Sequence, residues 1–279
     1  KRSKRLAAAL LFIVDPLESL KAYKDSSVAM MRAAQARGHA IWAAEQTNLH
    51  WLKGSVAAAA TRLSLTDNDE DWYRAHETEV RPLKGYAAVL MRKDPPFDMK
   101  FFFATHLLSL IDPSKCFVMN DPKGLREANE KLYALRFPEQ IPQTLVSSDM
   151  GRLKAFMCEL DDELIIKPLD GSGGSGVFYL NAQDRNTNSI LEAATDNGRR
   201  LVMGQRYLPE IRQGDKRIIV LNGEPLGAVL RVPLESETRG NIHVGGQCVK
   251  TEVTARDREI CAALALLLPL AASAQTSGI

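Results

Sequence analysis

Four glycines fall within six residues of the string "IIKPLDGSGGSGVFYL" at positions 165–180, and Gly171, Gly173 and Gly176 keep the spacing G-x-G-x-x-G. Glycines at that spacing bring backbone close to a phosphate. A bland hairpin tip would not need four of them, because each loses more conformational freedom on ordering than any other residue. Three loop types compete. A dinucleotide fingerprint must open a helix whose N-terminus holds the pyrophosphate, but "VFYL" follows, which is β-branched and aromatic and reads as a strand. A P-loop needs G-K-[ST] before a helix, and no such lysine is present. A glycine loop between two antiparallel strands remains, folded over a nucleotide. Protein kinases use one, with a lysine on a later strand and H-R-D and D-F-G motifs; none of these occurs. The lysine here comes before the loop. Lys167 has apolar neighbours on both sides in "LIIKPL", and the loop starts three residues later. That setting points it at a phosphate or at the edge of a nucleotide base rather than at solvent.

The elements around the loop divide the chain in two. Residues 10–14, "HAIWAA", "YAAVLM" and "CFVMN" read as strands, with a helix over "DSSVAMMRAAQARG" capped by Asp25 or Ser26 and stopped by Gly38. Strands separated by helices predict a parallel sheet covered on both faces. "NDPKGLREANEKLYAL" predicts one helix, with Asp121 as cap and Pro122 at its first position. Beyond "FPEQIP" the strands "QTLVSS", "ELIIKPL", "VFYL" and "RLVMGQRYL" are short. Helices are expected near residues 150–159 and 189–197, and "KRIIVLNGEPLGAVLRV" is a hairpin turning at Asn222-Gly223. The second part is therefore antiparallel α+β, with the boundary within residues 121–142.

Composition excludes several function classes. The 279 residues suit about two domains. A net charge of +2 leaves no electrostatic footprint for nucleic acid. Cys116, Cys158, Cys248 and Cys261 form no C-x-x-C pair, and the five histidines make no H-E-x-x-H; neither set reads as a metal site, and the cysteines suit a reducing cytoplasm. The basic, then apolar start "KRSKRLAAALLFIVDP" lacks the small-residue cleavage site of a secretory signal and reads as a first buried strand behind a solvated tail. "ICAALALLLPLAASA" falls short of the ~20 residues that span a bilayer and is interrupted by Pro269, so no membrane segment is expected.

A lysine-bearing strand, a glycine loop and a second strand resemble the ATP-grasp fold. In order along residues 10–260, "VDP", "KDSS", "MRKDPPFD", "NEKL", "KPLDGSGG", "GDKR", "GEP" and "ETRGN" resemble the bacterial glutathione synthetases of that superfamily. The resemblance implies an N-terminal parallel α/β (pre-ATP-grasp) domain over residues 1–122. It implies an ATP-grasp small subdomain with a glycine-rich lid over 123–204 and a C-terminal ATP-grasp subdomain over 205–279. It implies that Lys131 and Lys167 hold ATP. Gly171 to Gly176 form the lid, Asp170, Gly171, Ser172, Gly173 and Gly174 bind the nucleotide, Gln205, Tyr207 and Leu208 lie nearest the adenine, and Asp215 joins the nucleotide site. Arg217 and Arg239 face the transferring phosphate and the acyl phosphate, assisted by Asn241. Guanidinium suits that task, being always charged and forking onto two oxygens. Arg92 and Asp94, just beyond the strand "YAAVLM", meet the peptide substrate where open α/β sheets bind ligands. Ser26 and Ser27, at a helix N-terminus, either cap that helix or offer hydroxyls and backbone N–H groups to a carboxylate.

The implied reaction ligates γ-glutamylcysteine to glycine with ATP and Mg²⁺, in the cytoplasm, by a homo-oligomer, often a tetramer. One departure stands out. The family's metal ligands, an acidic residue and then a Glu-x-Asn pair near the C-terminus, have no counterpart after residue 260, so the ATP-grasp module is expected to be C-terminally incomplete and no metal ligand is assigned. Two readings follow: an active ligase of this type, or a nucleotide-binding remnant without catalysis. A ligase of the same fold with another acid and amine is a third.

Overall fold

The computed structural model describes residues 7–171, 173–221, 223–234 and 246–267. The chain divides into two compact units, Lys1–Glu127 and Ala128–Ile279.

The first unit is built on a seven-stranded sheet. Its elements are β1 (Ala9–Ile13), α1 (Ser26–Ala36), β2 (Ala40–Ala44), β3 (Leu49–Leu52), β4 (Ser55–Leu65), β5 (Tyr73–Pro82), β6 (Ala88–Met91), α2 (Met99–Leu108), β7 (Phe117–Met119) and α3 (Pro122–Glu127). The order is β3-β4-β2-β1-β6-β7, with β5 on β4. Strand β1 runs parallel to β2 and β6 at the centre. Side chains alternate across a strand, and here they feed two cores. Leu11, Ile13, Val89 and Met91 pack with Phe101, Ala104 and Leu108, so α2 covers one face. Phe12, Val14, Ile41 and Leu90 pack with Val28 and Met31, so α1 covers the other.

The expected sheet is corrected in one respect. It is mixed rather than parallel, because β3, β4 and β5 join it antiparallel. The run "SVAAAATRLSL" carries four alanines, which favour helix in isolation, and the strand forms because Val56, Ala57, Ala58 and Ala60 are buried in the sheet. Tertiary burial overrides local preference there.

The helix expected over residues 120–135 is also corrected. Asp121 caps α3 as anticipated, its Oδ1 accepting from the Lys123 and Gly124 amides at 2.7 and 2.9 Å. The helix then stops at Glu127, and a short 3-10 turn, Leu132–Arg136, follows. Asn129 provides the break: its Oδ1 accepts from the amides of Lys131 at 3.0 Å and Leu132 at 2.9 Å. A short polar side chain thus replaces the helical partners of those amides.

The second unit holds β8 (Thr144–Ser147), α4 (Met150–Glu159), β9 (Glu163–Pro168), β10 (Phe178–Asn181), α5 (Thr187–Thr195), β11 (Val202–Gln205), β12 (Asp215–Leu221), β13 (Glu224–Val232), β14 (Gln247–Thr251) and α6 (Ala255–Leu267). Two antiparallel sheets result, β10-β9-β11-β8 and β12-β13-β14. The four-stranded sheet has two unlike faces. Leu164, Ile166, Leu180 and Val202 pack against Leu153 and Met157 of α4 and Leu191 of α5. By register, Thr144, Met203, Gln205, Ile165, Lys167 and Tyr179 share the opposite face.

The helix-covered face carries the stability of this sheet. Leu164 is fully buried at its centre, so Leu164→Ala is expected to cost about 3 kcal/mol, read as a lowered midpoint in urea unfolding. A loss under about 1 kcal/mol would mean that this core is not formed as described.

Candidate functional site

The face of the four-stranded sheet that turns away from α4 and α5 carries a line of polar groups. Lys167 donates from Nζ to Gln205 Oε1 at 2.6 Å, and Gln205 Nε2 donates to Thr144 Oγ1 at 2.8 Å. The Thr144 hydroxyl donates in turn to the Pro142 carbonyl at 2.7 Å. Gln205 is a buried polar residue, so both ends of its amide need these partners. Burial pulls the Lys167 ammonium below the ordinary lysine range, and the positive charge of Lys131 pulls it further. The lysine singled out within "LIIKPL" is thus half desolvated.

Lys131 reaches the same region. Its Nζ donates to the Gly171 carbonyl at 2.5 Å and pairs with Glu130 at 2.8 Å. Asn129, which turns the chain just before it, also donates to the Leu169 carbonyl at 3.2 Å. The segment 129–131 is therefore tied to the start of the glycine loop at two points, and Lys131 is not the exposed helix lysine that its neighbours alone would suggest. The loop itself must be glycine where it meets β9. A Cβ on Gly171 would stand 2.7 Å from Pro168 Cγ and 3.1 Å from the Ser175 carbonyl oxygen. Gly176 adopts φ +69° beside the same proline, a conformation costly for other residues. Asp170 is exposed at the loop entrance, and Gly173 and Gly174 have φ of 63° and 83°. Ser172 lies outside the described residues. Beyond β11, Tyr207 packs its ring 4.9 Å from that of Tyr179, and Leu208 is exposed.

In the three-stranded sheet, Asp215, Arg217 and Arg231 share a face, because Asp215 pairs with Arg231 across the β12–β13 ladder and Arg217 lies two residues on. Arg231 forks onto Asp215: Nε donates to Oδ1 at 3.1 Å and Nη2 contacts Oδ2. The Asp215 carboxylate, assigned to the nucleotide by resemblance, thus already has a cation. Arg217 is exposed. On the other face Lys216 pairs with Asp257 of α6 at 2.7 Å and holds that carboxyl below its usual range. Arg239 and Asn241 lie outside the described residues.

In the first unit, Arg92 follows β6 directly and folds back onto the start of α1. Its Nε donates to Ser27 Oγ at 3.2 Å and its Nη2 to Ser26 Oγ at 2.8 Å. Both serine oxygens accept from the guanidinium. The expectation that backbone amides would serve as well is corrected for Ser27. Asp25 is the cap, and its Oδ1 takes the Ser27 and Val28 amides at 2.7 and 3.0 Å. Asp94 exposes its side chain, while its amide donates to Asp15 Oδ2 at 2.9 Å. Lys93 pairs with Asp15 at 2.6 Å, so the loop after β6 is anchored to the end of β1.

Sequence reasoning missed Asn129, Thr144 and Arg231. Asn129 stands two residues before Lys131, a spacing typical of side chains that turn the backbone, and that signal was available. Thr144 and Arg231 have no local signature, since their roles depend on which residue the neighbouring strand sets opposite.

Comparison with known proteins gives this arrangement a class. A solved D-cycloserine synthetase superposes with a TM-score of 0.63 at 13% identity, covering 92% of this chain and 80% of that one. A RiPP-associated ATP-grasp ligase from Chryseobacterium gregarium, in complex with ADP and a leader and core peptide, gives 0.57 at 17% identity, covering 93% and 81%. Residues 9–126 match the N-terminal domain of prokaryotic glutathione synthetase and residues 130–271 its ATP-grasp domain. The fold is that of the ATP-grasp ligases, as the strand–loop–strand reading implied, and the chain is an ATP-dependent ligase. The glutathione synthetase of Synechococcus elongatus is 47% identical over 265 residues, 92% of this chain and 82% of that protein. That of Nitrosomonas europaea is 45% identical over 263 residues, with 93% and 82% covered. The chain belongs to the prokaryotic glutathione synthetase family.

The desolvated ammonium has a measurable signature. A lysine whose folded-state pKa lies below its unfolded value of 10.5 binds fewer protons folded than unfolded in the window just beneath 10.5, so stability rises with pH there. The parent is therefore expected to gain stability relative to Lys167→Met as pH climbs toward 10.5, measured by urea titrations at a series of alkaline pH values. Parallel curves for the two proteins would mean that Lys167 is not desolvated.

Proposed function

We propose that this chain joins the cysteinyl carboxylate of γ-glutamylcysteine to the amine of glycine. The γ-phosphoryl group of ATP passes to the carboxylate, giving ADP and an acyl phosphate. The glycine nitrogen adds to the acyl carbon. The tetrahedral intermediate then expels inorganic phosphate as its C–O bond breaks, and the nitrogen loses a proton. The observation that carries the nucleotide part is a pair of lysines at one glycine loop, with Lys131 bonded to its first carbonyl and the partly buried Lys167 on the strand that leads into it. Two cations so arranged favour a polyphosphate, whose charge relieves both. Family membership carries the choice of acid and amine.

In this reading Lys131, Lys167, Asp170 and the glycines at 171, 173 and 174, with Ser172, hold ATP. Lys167 can donate and Gln205 Oε1 can accept, a pair that matches the ring nitrogen N7 and the 6-amino group along one edge of adenine. Tyr207 and Leu208 pack on the base. Arg217 and Arg231 neutralise charge on the transferring phosphate, with Asp215 orienting Arg231; Arg239 and Asn241 share that task by resemblance. Arg92, Ser26 and Ser27 recognise a carboxylate of the peptide acid, and Asp94 its amine. Such positioning and charge neutralisation are what phosphoryl transfer needs from a protein. Mg²⁺ belongs to the reading as the usual companion of ATP. Among the described residues, however, no group of three or more His, Cys, Asp or Glu side chains is placed to hold a metal, and Asp215 is engaged by Arg231. Among the described residues no complete donor set for the ion is assembled, and no step is derived through it.

The setting proposed is the cytoplasm, supported by four cysteines that are all free. No helix among the described residues is long and apolar enough to cross a membrane. A homo-oligomer is supported by the exposed Met99, Phe103 and Leu110 along and just beyond α2, since apolar side chains clustered on a surface mark contact sites.

ADP release tests the reaction. It is expected with ATP, Mg²⁺, γ-glutamylcysteine and glycine together and is expected to fail when either the peptide or glycine is omitted. ADP formed without the peptide acid would overturn the ligase reading, and ATP binding without any turnover would favour the remnant. For the peptide site, Arg92→Ala is expected to raise KM for γ-glutamylcysteine by about tenfold or more, the effect of losing a charge-assisted contact, and KM for ATP much less. An equal rise in both would remove Arg92 from the peptide site.

A further inference from the structure

We infer that Thr144 is the positioning residue that fixes the side-chain amide of Gln205 and thereby sets the preference of this chain for ATP over GTP. The inference rests on the proposed reading that Lys167 and Gln205 meet the base edge. It adds the residue that makes that edge selective.

The polar line Lys167–Gln205–Thr144–Pro142 has a direction that its two ends impose. The ammonium of Lys167 can only donate, and the Pro142 carbonyl can only accept. The Thr144 hydroxyl has one proton, which goes to the Pro142 carbonyl at 2.7 Å. Toward Gln205 it can then only accept, which it does from Nε2 at 2.8 Å. Gln205 is therefore held with its nitrogen toward β8 and its oxygen on Lys167 at 2.6 Å. No assumption about the amide orientation enters, because the reverse orientation would set Nε2 against an ammonium and Oε1 against an oxygen with no proton to give.

This fixed direction matters for the base. A lysine alone suits guanine, whose edge offers the acceptors O6 and N7, whereas adenine offers the acceptor N7 and the 6-amino donor. Selectivity for adenine needs an acceptor beside the lysine, and Gln205 Oε1 is that acceptor. It stays there while its nitrogen is satisfied. Gln205 is almost wholly buried, with 7% of its surface exposed. Without the Thr144 oxygen its Nε2 would lose its partner in a dry site, and the side chain would leave this position to find another. Thr144 and Gln205 lie directly opposite in the β8–β11 ladder, so the contact is set by strand register and needs no distant element.

The test is calorimetric binding of ATP and of GTP, each with Mg²⁺, to the full chain, which requires no turnover. Thr144→Val keeps the shape and removes the hydroxyl. It is expected to weaken ATP by about tenfold, the effect of stranding a buried donor, and to leave GTP within about twofold, so that the ATP/GTP ratio falls about tenfold. Thr144→Ser, which retains the hydroxyl, is expected to keep the ratio within about threefold of the parent. Should Thr144→Val not fold, judged by its thermal transition, Thr144→Ala is read the same way. Gln205→Met separates the two layers of the argument. If Gln205→Met collapses the ratio and Thr144→Val does not, Thr144 has no positioning role. A ratio lowered equally in Thr144→Ser and Thr144→Val also overturns it, since the hydroxyl would then not be the cause. If Gln205→Met leaves the ratio unchanged, or the parent binds neither nucleotide, the reading of the base edge itself fails.

Discussion

Two positive charges held near each other with little solvent around one of them form the constraint on which the second unit turns. Lys167 is desolvated, and the charge of Lys131 adds to the cost of keeping it ionised. The chain spends several features on holding this arrangement. Asn129 breaks a helix to bring Lys131 to the loop. The Gly171 carbonyl and Glu130 take the Lys131 ammonium, and Gln205 Oε1 takes that of Lys167. Two like charges, one of them partly desolvated, are an expected mark of a functional site, and a polyanion would relieve them. The glycines follow from the same constraint: residue 171 contacts Pro168 so closely that no side chain fits there, which keeps the loop backbone against the strand that bears Lys167.

The architecture explains why these groups can be polar at all. A four-stranded sheet with helices on both faces would set Lys167 and Gln205 among apolar helix side chains. Here α4 and α5 cover one face, where Leu164, Ile166, Leu180 and Val202 reside, and the other face is left for Thr144, Lys167 and Gln205. Period-two alternation does the sorting. A one-residue slip of β9 against β11 would carry Lys167 into the helix-covered core and Ile166 out of it, so the stability of the core and the geometry of the site specify the same register. In the first unit both faces of the sheet are covered, and the polar groups Arg92, Ser26 and Ser27 accordingly gather beyond the strand ends.

These differences also mark what could be read along the chain. Strands β1, β2, β6 and β9 were legible because their apolar runs are bounded by Gly, Pro or Asp, and the Asp25 and Asp121 caps were legible because capping is local. Lys167 was legible because an ionisable group inside an apolar run is conspicuous. Strand β4 was not, since four alanines in "SVAAAATRLSL" carry no β preference and the strand exists only through burial between neighbours. The break at Asn129 was hidden by a helix-like pattern that continues past it. Thr144 and Arg231 were illegible for a stricter reason. Each acts on a residue of the neighbouring strand that is distant along the chain, Gln205 at 61 residues in one case and Asp215 at 16 in the other, and the pairing that joins them is a property of the folded sheet. Arg239 and Asn241 rest on the family resemblance alone.

Hydrogen-bond direction is a stronger constraint than hydrogen-bond presence. The Lys167–Gln205–Thr144–Pro142 line begins at a group with no acceptor and ends at a group with no donor, so every proton between them is assigned by the ends. A chain of this type cannot invert without stranding a buried donor, which costs more than the net worth of any single bond within it. The amide of glutamine, otherwise able to present either face, becomes a one-way element, an acceptor beside a donor. That asymmetry is what distinguishes an amino group from a carbonyl on a purine. Because the line crosses β8, β11 and β9 in succession, the same ladder that aligns the hydrophobic core beneath also fixes which chemical group the sheet presents above it.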